Sequence, residues 1–236
     1  MSLFFPTTLQ CPQCGEPVEF EACATVNADR RPDLRAAILD ESFQQGTCTN
    51  CSTTFRLDPQ MNYLDVGRNQ WIAAFPGARL EDWIEEESFS RESFAKAYGD
   101  QSADEAQEIG ADLKPRLVFG WAALREKILA GEHGLDDAEL ELTKISLLRG
   151  LDNPPIGAGT ELRLVAVDAE NHELVMASFN TGNGELIEEL NLPRELYDEI
   201  AGDTDGWRAL REELNKDLFV DYRRLLTTGT PAGAAE

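Results

Sequence analysis

The sequence predicts an α+β protein, and three observations carry that prediction. Two Cys-x-x-Cys pairs, Cys11-Pro12-Gln13-Cys14 and Cys48-Thr49-Asn50-Cys51, each precede a short segment that alternates apolar and polar residues. Further β-prone segments follow as far as Pro76. From Arg79 onward helical spacing dominates, interrupted by one hairpin pattern.

Two residues between paired cysteines let both thiolates of a knuckle reach one ion, and two such knuckles complete a tetrahedron. The strands that follow are Pro17-Val18-Glu19-Phe20-Glu21 and Thr53-Thr54-Phe55-Arg56-Leu57. A knuckle feeding a strand is the layout of a zinc ribbon, here elaborated by a helical insertion over Pro32 to Phe43. Pro32 suits the first helical turn, Leu34, Ile38 and Leu39 form its apolar stripe, and Gly46 ends the stretch. Met61 to Val66 and Trp71 to Phe75 read as strands joined through Gly67-Arg68-Asn69. Pro76-Gly77 stops the run.

In the second region Leu80, Trp83 and Ile84 recur at helical spacing beside Glu85 to Glu87. Ser90 is placed to cap a short helix carrying Phe94, Ala97 and Tyr98, closed by Gly99. Asp100 to Asp112 has little periodicity and reads as a loop or marginal helix. Arg116 to Phe119 predicts a strand, and Trp121 to Ala130 a helix ended by Gly131. Asp136 to Arg149 has the fullest set of helix signals. Asp136 caps it, Glu139 is placed to return the bond, Leu135 and Leu140 staple the first turn, and Gly150 stops it. Ala138, Leu142 and Ile145 share one face. Glu161 to Val167 and Glu173 to Phe179 predict a hairpin turning at Ala169 to His172, and Gly182-Asn183-Gly184 marks another turn. Leu192-Pro193 leads into a short helix. Trp207 to Leu226 offers Trp207, Leu210, Leu214, Phe219 and Leu225 as a buried side. The domain reading is therefore a ribbon module over 1–76, an acidic, mainly helical region over 77–226, and a disordered small-residue tail over 227–236.

Charge narrows the function. The chain has 44 acidic and 21 basic residues and a formal net charge of -23. Such a chain is repelled by phosphates and anionic lipid unless it concentrates basic residues. Arg30-Arg31 with Arg35, and Arg223-Arg224, both sit among carboxylates. Residues 1–76 hold nine acidic and five basic side chains, so a ribbon with four thiolates on a divalent ion is a poor nucleic-acid binder. No apolar run approaches the roughly 20 residues of a membrane helix, and no secretory signal is evident. The expected location is cytoplasmic, where paired cysteines hold metal more often than they form disulfides.

The expected ligands are Cys11, Cys14, Cys48 and Cys51, and the expected ion is structural zinc, ahead of a rubredoxin-like iron site or a thiol redox pair. Zinc in small modules supplies about 10–16 kcal/mol of apparent binding free energy, against a typical domain stability of about 5–15 kcal/mol. Metal loss should therefore melt the ribbon. With all four positions spent on the ion, none is left for a catalytic water. Cys23 stands apart and reads as a small buried residue. His133 and His172 read as exposed, and Asp203-Thr204-Asp205-Gly206 as a turn rather than a calcium loop.

The first knuckle with Gly15, the long helical insertion and the second knuckle together resemble the bacterial CpXC domain family. Asn62-Tyr63 to Pro76, Arg116 to Gly120, Leu124 to Ile128 and Gly134 to Asp137 fit the same pattern, so the resemblance covers roughly the first 150 residues. The second knuckle has Thr49 where the family name expects proline. The resemblance implies an elaborated zinc ribbon with a helical continuation and brings no established activity. The leading expectation is a noncatalytic protein-binding or scaffold protein with an acidic surface. The alternatives are an enzyme using carboxylates among Glu85 to Glu87 or Asp136-Asp137, and an acidic nucleic-acid mimic.

Overall fold

The structure is a computed structural model that describes residues 1–150, 159–182 and 184–227. The turn expected at Asn183 and nearly all of the expected tail lie outside the described residues. The chain is α+β and divides into two compact units, Met1–Arg125 and Glu126–Glu236.

In the first unit, β1 (Leu3–Gln10) and β2 (Pro17–Asn27) form an antiparallel hairpin, with α1 (Pro32–Leu39) following. A second, smaller hairpin comprises β3 (Gln45–Thr47) and β4 (Thr54–Arg56). Next come β5 (Met61–Asp65), β6 (Gln70–Phe75), α2 (Trp83–Tyr98), α3 (Asp104–Asp112) and β7 (Lys114–Phe119), and then α4 (Trp121–Glu132), within which the unit boundary falls. The main sheet has the order β1-β2-β5-β6-β7. Its β2–β5 and β6–β7 pairs are parallel.

The β5–β6 hairpin forms where the two β-prone runs around Gly67-Arg68-Asn69 placed it, with Asn69 left-handed at φ 56° in the turn. The β6–β7 pair carries this sheet beyond Pro76, from Gln70↔Lys114 to Phe75↔Phe119. α2 lies against it through Trp71–Phe94 and Phe75–Phe89 ring contacts at 5.3 and 6.4 Å. Ser90 is no cap: it is buried in mid-helix and its hydroxyl donates to the Glu86 carbonyl. The sequence shows no break at that point, so one helix of 16 residues forms instead of a short one. Asp104–Asp112 is helical, and α1 stops at Leu39, short of Phe43.

The second unit continues with α5 (Asp137–Gly150), β8 (Thr160–Asp168), β9 (Glu173–Asn180), β10 (Leu186–Pro193), α6 (Arg194–Gly202), α7 (Arg208–Leu214) and α8 (Tyr222–Thr227). Its antiparallel sheet has the order β10-β9-β8. Asp136 Oδ1 accepts the Ala138 and Glu139 N–H groups, so it caps α5 as expected. The reciprocal bond is not made. The Asp136 N–H goes to Tyr197 Oη at 2.8 Å, and Glu139 pairs with Arg211 at 2.5 Å. Gly150 ends α5 without entering the left-handed region. Leu135 and Leu140 share a core with Leu162, Leu164, Leu174 and Met176. Ala138 and Leu142 turn to Ile200, Leu214 and Val220. Of the side expected to be buried over Trp207 to Leu226, Leu214 and Phe219 are buried and Trp207, Leu210 and Leu225 half-buried. The stretch forms α7 and α8, and Asp221 accepts the Arg223 N–H at the start of α8.

Candidate metal centre

Each knuckle is the tip of a hairpin. Gln10↔Pro17 closes the first and Thr47↔Thr54 the second, leaving six-residue loops, 11–16 and 48–53. The loops repeat one hydrogen-bond pattern. Cys11 N–H donates to Glu16 O at 2.8 Å and Gly15 N–H to Cys11 O at 2.9 Å; Cys48 N–H donates to Thr53 O and Ser52 N–H to Cys48 O, both at 2.9 Å. The pattern requires a left-handed residue after the second cysteine. Gly15 supplies it at φ 74° without cost, and Ser52 supplies it at φ 60° with strain.

The tips meet. Cys11 Sγ lies 3.5 Å from Cys51 Sγ, and Cys14 Sγ lies 3.6 Å from Cys48 Sγ. All four sulfurs fall within 4.8 Å of one another. Four Zn–S bonds of about 2.3 Å in a tetrahedron would put the sulfurs about 3.8 Å apart. The set is therefore preformed at the size such an ion demands, and its four donors close the coordination sphere. Cys11 and Cys48 are buried, Cys51 is half-buried and Cys14 is exposed.

Residues outside the knuckles hold the two hairpins together. Gly46 lies under the Phe20 ring, where a Cβ would come within 2.3 Å of Phe20 Cζ. Phe55, opposite Gly46 in the β3–β4 register, packs on Phe20 at 5.2 Å between centroids. Gln44 clamps β2 from below, accepting the Cys23 N–H at 3.0 Å and donating to Glu21 O at 2.9 Å. Behind β4, the Arg56 guanidinium stacks 3.8 Å over Trp121, whose indole N–H donates to Leu57 O. Gly46 thus acts within β3 as a packing residue rather than as a helix stop. The periodic patterns gave no sign of this clamp, since its members come from β2, β3, β4, α4 and the segments beside them.

The thiols differ in their surroundings. The Thr53 hydroxyl, 3.2 Å from Cys51 Sγ, and the Thr53 backbone hold the Cys51 thiol down at about 6. Burial pushes the Cys11 thiol up to about 11. A divalent cation at the centre would favour the thiolate form of all four.

Cys23 stands outside this cluster. It is buried in β2, its thiol donates to Thr25 O at 3.1 Å, and burial raises its pKa to about 11. His172 is exposed in the β8–β9 turn, and His133 is half-buried rather than exposed. Asp203 to Gly206 is a turn closed by the Gly206 N–H on Asp203 Oδ1. Of the carboxylates considered for catalysis, Glu85 is exposed and the other four serve local structure. Glu86 pairs with Arg79 and Glu87 with Arg91, each at 2.6 Å; Asp136 caps α5, and Asp137 lies 3.0 Å from Lys127.

The second unit contains a charge cluster that sequence reasoning did not find. Glu126, Glu141, Lys144, Arg163 and Asp221 are all buried. Lys144 Nζ reaches Glu126 at 2.7 Å and Glu141 at 2.9 Å, while Arg163 reaches Glu126 at 2.9 Å, Glu161 at 2.7 Å and Asp221 at 2.8 Å. The backbone supplies further partners: Leu164 N–H donates to Glu126, and Tyr222 N–H to Glu141. Burial raises the Glu126 and Asp221 carboxyls, but their cationic neighbours prevail and hold both below the ordinary carboxylate range. For Glu141 burial prevails over Lys144, and its pKa is raised. The spacing of Glu141 and Lys144 was visible in the sequence, but their burial was not.

Two cysteine-tipped hairpins with sulfurs at tetrahedral spacing define a tetrathiolate metal-binding protein. A family model described as CpXC protein matches residues 9–144, more than half of the chain and all four cysteines. The chain belongs to the CpXC family. No curated protein and no solved structure matches it. Among the described residues, no helix is long and apolar enough to cross a membrane.

Proposed function

We propose that this chain is a cytoplasmic, zinc-stabilised, noncatalytic protein-binding or scaffold protein whose acidic surface engages another protein. The observation that carries the reading is the closed set of four sulfurs, which gives zinc a structural coordination sphere with no position for a substrate or water. The local pairing of the candidate catalytic carboxylates supports it further. The net charge of -23 favours a basic partner and disfavours nucleic acid.

Affinity purification of the native, uncrosslinked complex from cells tests the binding role. One partner protein should recur in stoichiometric yield and should dissociate as salt rises, because exposed charges are screened. Recovery of the chain without any partner, together with turnover of a small molecule, would contradict the reading.

A further inference from the structure

Large apolar side chains are exposed at three main places among the described residues: β1, with Met1 beside it, the helix α2, and β10. Their electrostatic settings differ. On α2, Ile84 and Phe89 stand among exposed Glu81, Asp82, Glu85 and Glu92. On β10, Leu186 and Ile187 are flanked by exposed Glu185, Glu188 and Glu189. Charges of this kind are how proteins keep an open strand edge from pairing. β1 has none. No charged side chain precedes Glu16, which makes residues 1–15 the longest uncharged run of a strongly acidic chain. Within it, Leu3 is 52 % exposed, Phe4 39 % and Phe5 48 %.

β1 is also an edge strand, bonded to β2 on one side only. Two chains of net charge -23 repel wherever their acidic surfaces face each other. An uncharged edge is the place where two copies can meet without opposed carboxylates. We propose that β1 is a self-association surface and that its occupant is β1 of a second copy, paired antiparallel across a two-fold axis.

The geometry of an edge strand specifies the register. Proline is accepted in such a strand when its missing N–H faces away from the neighbour. In β1, Pro6 therefore faces outward, and Phe4, two residues earlier, turns its N–H and C=O the same way. A two-fold axis at Phe4 lets the two Phe4 residues exchange both hydrogen bonds. It sets Leu3 of each copy against Phe5 of the other and Ser2 against Pro6, where only the Ser2 N–H can donate, so the ladder ends there. An isologous contact of this kind closes at two copies. Three exposed apolar side chains make a small patch beside the roughly 800 Å² per partner of a standard interface, so the association belongs to the weak, transient class.

Sedimentation equilibrium of the full zinc-loaded chain tests the proposal. At tens of micromolar the mass should approach twice 26.2 kDa, and association should tighten as salt screens the repulsion between copies. The double variant Leu3→Glu/Phe5→Glu should weaken association about tenfold or more while keeping its zinc and its circular dichroism. The control Leu186→Glu/Ile187→Glu, on the other exposed edge, should leave association unchanged. A monomer at every concentration and salt level would overturn the proposal. So would a dimer that survives the β1 variant, or a monomer that uses β1 to bind a different protein. Should the β1 variant lose its zinc, Phe5→Ser decides by the same readout.

Discussion

In the first unit, Cys11, Cys14, Cys48 and Cys51 come from the six-residue loops at the tips of two hairpins. In the second, Glu126, Glu141, Lys144 and Arg163 come from α4, α5 and β8 and Asp221 directly precedes α8, around a core that includes Leu140, Leu162 and Tyr222. The thiol cluster carries only negative charge once ionised, so it needs a cation from outside to become stable. The ion cluster contains its own cations and is complete without one. The first region should therefore respond to chelation, and the second to mutation or acid. Stability of the two units should respond to different reagents.

The largest expected effect comes from removing the metal. Chelation, or Cys11→Ser, should forfeit most of the roughly 10–16 kcal/mol that a structural zinc supplies. Hydrogen exchange on the full chain should then show protection lost in the loops 11–16 and 48–53 and retained in α5. Equal loss in α5 would erase the contrast.

Breaking the ion cluster comes next. Lys144→Ala leaves Glu126 and Glu141 without their shared cation, a change that costs about 3–5 kcal/mol at buried pairs. Urea unfolding should report it with zinc content unchanged. Acid should act in the same direction. Glu126 and Asp221 have lowered pKa values, so their contribution is complete above the ordinary carboxylate range and is lost as pH falls below about 4. Glu141, with its raised pKa, takes up a proton more readily in the folded state and offsets part of that loss. A pH titration of α5 amide protection checks the net sign.

Smaller effects sharpen the account of the hairpins. Gly46→Ala forces a Cβ into the Phe20 ring and should cost about 1–3 kcal/mol, read as weaker zinc affinity in a competition with a chromogenic chelator. Gly15→Ala should cost about 1–2 kcal/mol at its left-handed position. Ser52→Gly, relieving the matching strain in the second loop, should be neutral or slightly stabilising. A stabilising Gly15→Ala or a destabilising Ser52→Gly would contradict the equivalence of the loops.

The features legible in the sequence were those encoded within one short segment. The knuckle spacing gave the ligand set, alternation gave parts of β2 and β4, β-prone runs bounded by turn residues gave β5, β6, β8 and β9, and Asp136 gave the start of α5. Features that depend on partners far along the chain were not legible. β1, with three consecutive apolar residues and a proline, does not alternate and is defined by its pairing with β2. β10 carries Glu188 and Glu189 in mid-strand and is defined by β9. The β6–β7 pair joins segments across two helices, so a boundary drawn at the Pro76-Gly77 stop signal passed over it. The ion cluster was hidden for a related reason: charged residues read as solvated until the fold places their counterions beside them. Glu139 shows the same limit within a correct element, since Arg211 outbids the helix backbone for its carboxylate.

X-ray absorption at the zinc edge of the purified chain tests the central claim most directly. One zinc per chain ringed by four sulfurs at about 2.3 Å is the result these hairpins require. A nitrogen or oxygen in that shell, or a purified, folded chain holding no zinc, would show that the four cysteines do not form a closed structural site.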